Sequence, residues 1–144
     1  MQAAEKKFQT FEDLDVYKVS REFRKAMYAA ARSLPDIEKF GLASQMRRAA
    51  VSLTNNIAEG HGRYHHLDQI KFLLQARGSL EELQDDINIC GDENYLMALQ
   101  IDKLRNDAES VHRLLNGYIR HLRNRSKSDQ SVHEESVPFN PSTL

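Results

Sequence analysis

Gln45, Arg48, Ser52, Asn55, Asn56 and Glu59 are spaced so that, on a helix turning about 100° per residue, they fall on one side. The row sets uncharged amides and a hydroxyl between a guanidinium and a carboxylate. Ser79 and Glu82, three residues apart in a later segment, supply counterparts. One reading is a ligand or catalytic site built from Gln45, Arg48, Ser52, Asn56 and Glu59, with Ser79 and Glu82 opposite. The other is a buried hydrogen-bond network that fixes helix register or subunit packing. Buried polar groups must be paired, and such networks select one arrangement at some cost in stability. A nucleophile needs an adjacent base, and nothing in the row has one. The structural network is the reading carried forward: no catalytic residue is assigned, and the chain is expected not to be an enzyme.

His61, His65 and His66 invite a metal hypothesis. Zinc sites use defined helical or knuckle spacings, and no cysteine or repeated carboxylate completes a ligand set here; Glu59 and Asp68 match no motif. A solvated loop is expected, with no metal and no cofactor. Cys90 falls on an apolar stripe and reads as a packed small side chain rather than a reactive thiol. The cations offer different chemistry. Lys18, Arg21, Lys25 and Arg32 fall within about 60° of one another on a helix, flanked by Tyr17 and Tyr28. Such a stripe can hold a phosphate backbone while the tyrosines stack on unpaired bases. Glu22 and Asp15 lie close to it, as on a solvated face. Arg113, Arg120, Arg123 and Arg125 make a second basic patch toward the C-terminus. Arg47 and Arg63 are the members of the polar helix most free to face a partner.

The rest of the chain must position these groups. At 144 residues it is long enough for one domain with a real core. A composition 28% charged and 40% hydrophobic, with three prolines and six glycines, suits a helical protein and argues against a sheet-rich one. The net charge of −1 gives no global attraction to nucleic acid, so any such binding needs a local basic patch. A single cysteine excludes an intrachain disulfide framework and fits a reducing compartment. No secretory signal and no run of 18 apolar residues is present, so a cytoplasmic protein without a membrane anchor is expected.

Apolar periodicity predicts four helices. The first runs from an N-cap at Thr10 to Leu34 before Pro35, with the stripe Val16, Val19, Phe23, Ala26, Met27, Ala30 and Leu34. The second spans 41–60, with Gly60 and Gly62 ending it. It buries Leu42, Met46, Ala49, Ala50, Leu53 and Ile57 and carries a further small-residue side of Ala43, Val51, Thr54 and Ala58. The third spans 67–90, with Gly91 as its C-cap and Gly78 marking close approach of another helix. The fourth spans 95–123. Residues 1–9 read as a flexible N-terminus, 10–123 as an antiparallel up-down-up-down four-helix bundle, and 124–144 as a disordered tail too poor in apolar residues to order itself. The small-residue side, with Leu67, Ile70 and Leu74, exceeds what one core needs and suggests a subunit interface.

Several blocks together resemble a known family: Phe11 and Leu14; Leu34-Pro35 with Glu38 and Gly41-Leu42; Gln45-x-Arg-Arg-Ala-Ala-x-Ser; Asn56-Ile-Ala-Glu-Gly60 with Gly62-Arg63; and Gly78-Ser-Leu-x-Glu82. Over about residues 8 to 96 the chain is similar to the small four-helix-bundle proteins encoded inside intervening sequences of bacterial large-subunit ribosomal RNA genes. The resemblance implies a homopentameric ring of bundles. It also implies kinship with the accessory variability protein of diversity-generating retroelements, which works with a reverse transcriptase and RNA. Most family members have no assigned biochemical activity. Two functions are therefore expected: a self-assembling interaction module, or an RNA-binding protein acting through Lys18, Arg21, Lys25, Arg32, Arg47, Arg63, Arg120 and Arg123. The partners expected are further copies of the chain and RNA, with no small-molecule substrate.

Overall fold

Thr10 opens a short 3-10 turn, Phe11–Asp13, and not the first α-helix itself. Its backbone N–H donates to Asp13 Oδ2 at 3.1 Å. Leu14 is then extended, and α1 runs Asp15–Ser33 in this computed structural model, which describes residues 10–136. Leu34 is also extended (φ −70°, ψ 155°), the conformation forced on a residue before proline, and that ends the helix. A second 3-10 turn, Asp36–Glu38, leads into α2, Leu42–His61. Helix α3 is His66–Asp92 and α4 is Ala98–Ser136. Each helix packs on its neighbours in the order α1, α2, α3, α4 and back to α1, while the diagonal pairs make no close backbone approach. This is the all-α antiparallel four-helix bundle the sequence predicts. No strand occurs among the described residues.

The predicted stripes form the core. Phe23 and Met27 of α1, Met46, Leu53 and Ile57 of α2, Leu73, Leu80, Leu83 and Ile87 of α3, and Val111, Leu115 and Ile119 of α4 are all buried. Helix α2 is packed on two sides. Ala43 and Thr54, from the side that looked surplus, are buried within the chain, whereas Val51 is exposed. Arg24 Nη1 of α1 donates to Thr54 Oγ1 at 2.8 Å, so the buried hydroxyl is paired across the α1/α2 contact.

Helix ends depart from the expected ones for local reasons. Gly60 lies inside α2 and is buried. A Cβ there would stand 3.1 Å from Gln69 O and 3.2 Å from Phe72 Cβ, so it permits close approach of α3. Gly91 is likewise helical. The left-handed residue that ends α3 is Asn94 (φ 56°). Tyr95 N donates to Cys90 O and Asn94 N to Gly91 O, the paired bonds of a Schellman stop. Gly78 has nothing within 4 Å of a built Cβ, so close helix approach within the chain does not explain it. The predicted end of the fourth helix at Arg123 is where burial stops, since Leu122 is the last buried residue among those whose burial is described. The helix itself continues to Ser136. No Pro or Gly interrupts 124–136, and extending an existing helix avoids the nucleation cost. Of the tail expected over 124–144, residues 137–144 lie outside the described residues, as does the N-terminus expected over 1–9.

Two buried polar groups interrupt the stripes. Ser20 Oγ and Asp86 Oδ2 have no hydrogen-bond partner among the described residues. Asp86 is 3% exposed. Burial first, then the charges of Glu82 and Asp85, push its carboxyl up from 3.8 to about 6. A carboxyl with a raised folded value binds its proton more tightly folded than unfolded. Its destabilising charge is thus absent below the unfolded value, grows between 3.8 and about 6, and is complete above that.

Asp86→Asn is expected to stabilise the protein above pH 6 by up to about 3 kcal/mol, with the gain shrinking toward pH 4. Urea denaturation at pH 4.5, 5.5 and 7.5 measures this; a difference between variant and parent that ignores pH would refute it. Gly60→Ala should destabilise by about 1–3 kcal/mol through overpacking against α3. Gly78→Ala should stabilise by about 0.5–1 kcal/mol. The same melts read both, and equal signs would contradict the geometry.

Candidate nucleic-acid interface

The polar row of α2 faces α3, but only its centre is joined. Ser52 Oγ and Ser79 Oγ lie 2.8 Å apart across the two helices. Asn56 Nδ2 donates to Ser52 O at 2.9 Å and to Ser52 Oγ at 3.1 Å, and Ser79 Oγ also reaches Gln75 O at 3.3 Å. These three residues are half-buried. Gln45, Arg48, Glu59 and Glu82 are exposed. Glu59 accepts from Arg63 Nη2 at 3.1 Å in an exposed ion pair within its own segment. The expected seven-residue buried network is thus a three-residue seam between α2 and α3. Its other members lie in solvent because the row sits at the edge of the contact, not beneath it.

The predicted basic stripe of α1 divides between two grooves. Lys18 and Lys25 line a hollow of about 700 Å³ between α1 and α4 that also holds Glu22, Lys103 and Asp107. Its charge is mixed, and Lys103 Nζ is tied to Asp107 Oδ2 at 3.0 Å. Arg21 is exposed and lines no described hollow. Arg24, Lys25, Tyr28 and Arg32 line a second hollow of about 260 Å³, with Lys25 common to both. Tyr28 also lines a third, of about 420 Å³, with Arg47, Arg48, Ser52, Asn55 and Asn56 of α2. The second and third are both lined by Tyr28, so the two hollows adjoin there as an α1/α2 groove, with Arg24, Lys25 and Arg32 lining one part and Arg47 and Arg48 the other. No carboxylate lines either part.

The sequence singled out Lys25, Arg32 and Arg47 for this role but missed Arg24, and it placed Arg48 in the structural network. Arg24 and Tyr28 are one helical turn apart, as are Tyr28 and Arg32, and that spacing was the available signal. Within the groove Arg24 is fixed by its bond to Thr54, and Arg47 Nη2 donates to Lys39 O at 3.3 Å. Arg32, Arg48 and Asn55 have no hydrogen bond among the described residues. Lys25 meets Glu22 at 3.5 Å, an exposed pair of little strength.

The remaining candidates stand elsewhere. Arg63, expected to be free, pairs with Glu59 and lies over the Phe72 ring at 4.7 Å. Arg113, Arg120, Arg123 and Arg125 are exposed on α4, the helix diagonal to α2, and do not join the groove. Tyr17 packs edge-on against Phe11, with ring centroids 4.9 Å apart. No group of three or more metal-ligating side chains occurs among the described residues. Cys90 is buried, and burial with the nearby Asp86 pushes its thiol up to about 11, so it carries no thiolate at neutral pH. No helix among the described residues is long and apolar enough to cross a membrane.

Comparison with known proteins places this geometry. No curated protein matches the chain. A solved structure from Bacteroides thetaiotaomicron, a protein of unknown function from the S23 ribosomal protein family, superposes with a TM-score of 0.68 at 24% identity, over 73% of this chain and 95% of that one. At that identity the likeness speaks for the fold alone. The family model described as 23S rRNA-intervening sequence protein matches residues 12–117, from the first turn to the middle of α4. The chain belongs to the 23S rRNA-intervening sequence protein family.

Proposed function

We propose that the protein is a non-enzymatic, self-assembling interaction module, a homo-oligomer for which the family resemblance suggests five subunits. The observation that carries this is the placement of its exposed apolar side chains. Ile37 and Phe40, in the α1–α2 connection, are 85% and 89% exposed, and Met97 and Leu99, at the α3–α4 connection, 71% and 79%. The two connections are joined at one end of the bundle by Tyr95, whose hydroxyl donates to Glu38 Oε2 at 3.0 Å. Tyr64 and Leu67, at the other end, are 91% and 65% exposed, so Ile37, Phe40, Met97 and Leu99 form the larger of two exposed apolar groups among the described residues, and such a group marks an interaction surface. Nearby, Ala26, Ala29, Ala30, Leu96 and Leu104, together with Ser33, Gln100 and Lys103, line a mostly apolar hollow of about 260 Å³ between α1 and α4. A closed ring needs two different patches that meet head to tail, and an apolar end with an apolar hollow meets that requirement. The absence of a nucleophile–base pair in the sequence supports a non-enzymatic role. A buried Cys90 as the one cysteine suits a reducing cytoplasm.

A second reading, RNA binding through basic helix faces, is favoured by the five cations of α1 and α2 that line the two hollows adjoining at Tyr28. The groove runs along the α1/α2 flank, and only its Arg32 and Arg47 reach the end that carries Ile37 and Phe40.

Light scattering on purified protein tests assembly. A mass near five chains of 16.6 kDa is expected, and Phe40→Ser combined with Met97→Ser should shift it to smaller species. A clean monomer at micromolar concentration would overturn the proposal.

A further inference from the structure

We infer that the α1/α2 groove is a subsite for unpaired nucleotides of single-stranded RNA, with a base seated on Tyr28 and the flanking phosphates held by Arg32 and Arg48. This inference rests on the RNA-binding reading and goes further by naming the strand type and the role of each residue. Three features of the groove carry it. Its one aromatic ring lies between two cationic halves, as a base lies between its neighbouring phosphates along a strand. Tyr28 is half-buried, packs in part against the core and pairs with no other aromatic ring among the described residues, and the surface it leaves lines both hollows. The cations also differ in how they are held. Arg24 and Arg47 are fixed by bonds to Thr54 and Lys39 and supply preset charge. Arg32 and Arg48 are exposed and free of hydrogen bonds among the described residues, so their guanidinium forks can meet phosphate oxygens.

The α2 side adds polar groups at the depth of the base. Asn56 spends both amide hydrogens on Ser52, which fixes its orientation. Asn55 has neither its donor nor its acceptor engaged among the described residues, and a free amide offers a base edge one of each. At about 420 Å³ the α2 half falls within the range of roughly 300–1,000 Å³ usual for small-ligand sites, large enough for a nucleoside. A duplex fits poorly. Its bases are stacked inside, and a half-buried ring lining a hollow between two helices meets only a base turned out of the stack.

The test is fluorescence anisotropy with a labelled single-stranded RNA of about ten nucleotides and a blunt duplex of the same sequence, at several salt concentrations. The intact protein should bind the single strand more tightly than the duplex. Tyr28→Ala should weaken single-strand binding about 5- to 100-fold while leaving duplex binding alone, and Tyr28→Phe should retain it. Tyr28→Leu, which keeps bulk but not the ring, gives the same loss if the alanine variant unfolds in circular dichroism. Arg32→Ala with Arg48→Ala should lower the salt slope by about 0.7 for each phosphate contact removed. Undiminished binding by Tyr28→Leu, with loss in the arginine variant, would overturn the base subsite and leave RNA binding standing. Equal affinity for duplex and single strand would do the same. No binding of either nucleic acid would remove both.

Discussion

Helix α2 is wedged between two partners, and that constraint organises the rest of the bundle. Its contact with α3 requires Gly60, where a side-chain carbon would press on the backbone of α3. On the side of α1 the small residues Ala43 and Ala50 are buried beside Thr54, whose hydroxyl is paired with Arg24 from across the interface. Small residues on both flanks let two helices approach at once, and close approach leaves no depth in which to bury a row of long polar side chains. The serines fit within the α2/α3 seam at 2.8 Å; glutamine, arginine and glutamate are pushed to its edge. The seam between α1 and α4, without an equivalent wedge, is where an apolar hollow and a mixed-charge hollow open.

The same close packing explains why the basic groove exists. When α1 and α2 meet through alanine and threonine, the long cations at the margins of both helices lean over a shallow valley. Arg24 links structure and surface: one nitrogen satisfies a buried hydroxyl, and the rest of its guanidinium stands beside Tyr28. Asp86 shows the opposite balance. Seven residues beyond Ser79, two helical turns on, it continues the same side of α3 but reaches a position too buried for a charge and without a donor for Oδ2. Its carboxyl therefore shifts toward the neutral form.

The four stripes, their antiparallel order and the stop at Pro35 were legible in the sequence, because apolar periodicity and proline sterics are local. Helix ends were less so. Gly60, Gly62 and Gly91 all looked like terminators, yet Gly62 caps α2 with an ordinary φ of −76°, and among the described residues it is Asn94 that is left-handed. Whether a glycine ends a helix or admits a neighbour depends on what packs against it, and sequence spacing does not carry that. The continuation of α4 past Arg123 was missed for a related reason: a lost apolar stripe marks the end of burial, not the end of a helix. The candidate interface was half legible. Residues of one helix can be grouped by angle, but a groove is shared by two helices, and which margins meet is a tertiary fact. Angle alone grouped Lys18 and Arg21 with Arg32 and left out Arg24.

Position also links the two proposed surfaces. The groove lies on the α1/α2 flank and reaches the end where Phe40 is exposed, since Arg47 bonds to Lys39 O and Arg32 stands in the last turn of α1. With a net charge of −1 the chain has no long-range pull on a polyanion, and five cations in one groove offer only modest affinity. Repetition changes this. Once one groove of an oligomer holds a strand, the next groove meets it at an effective concentration set by the spacing, and modest sites add without any new contact. A nearly neutral subunit with a small basic groove is therefore consistent with RNA binding, provided the subunits assemble. On the proposed reading the apolar end and the cationic flank are two halves of one requirement.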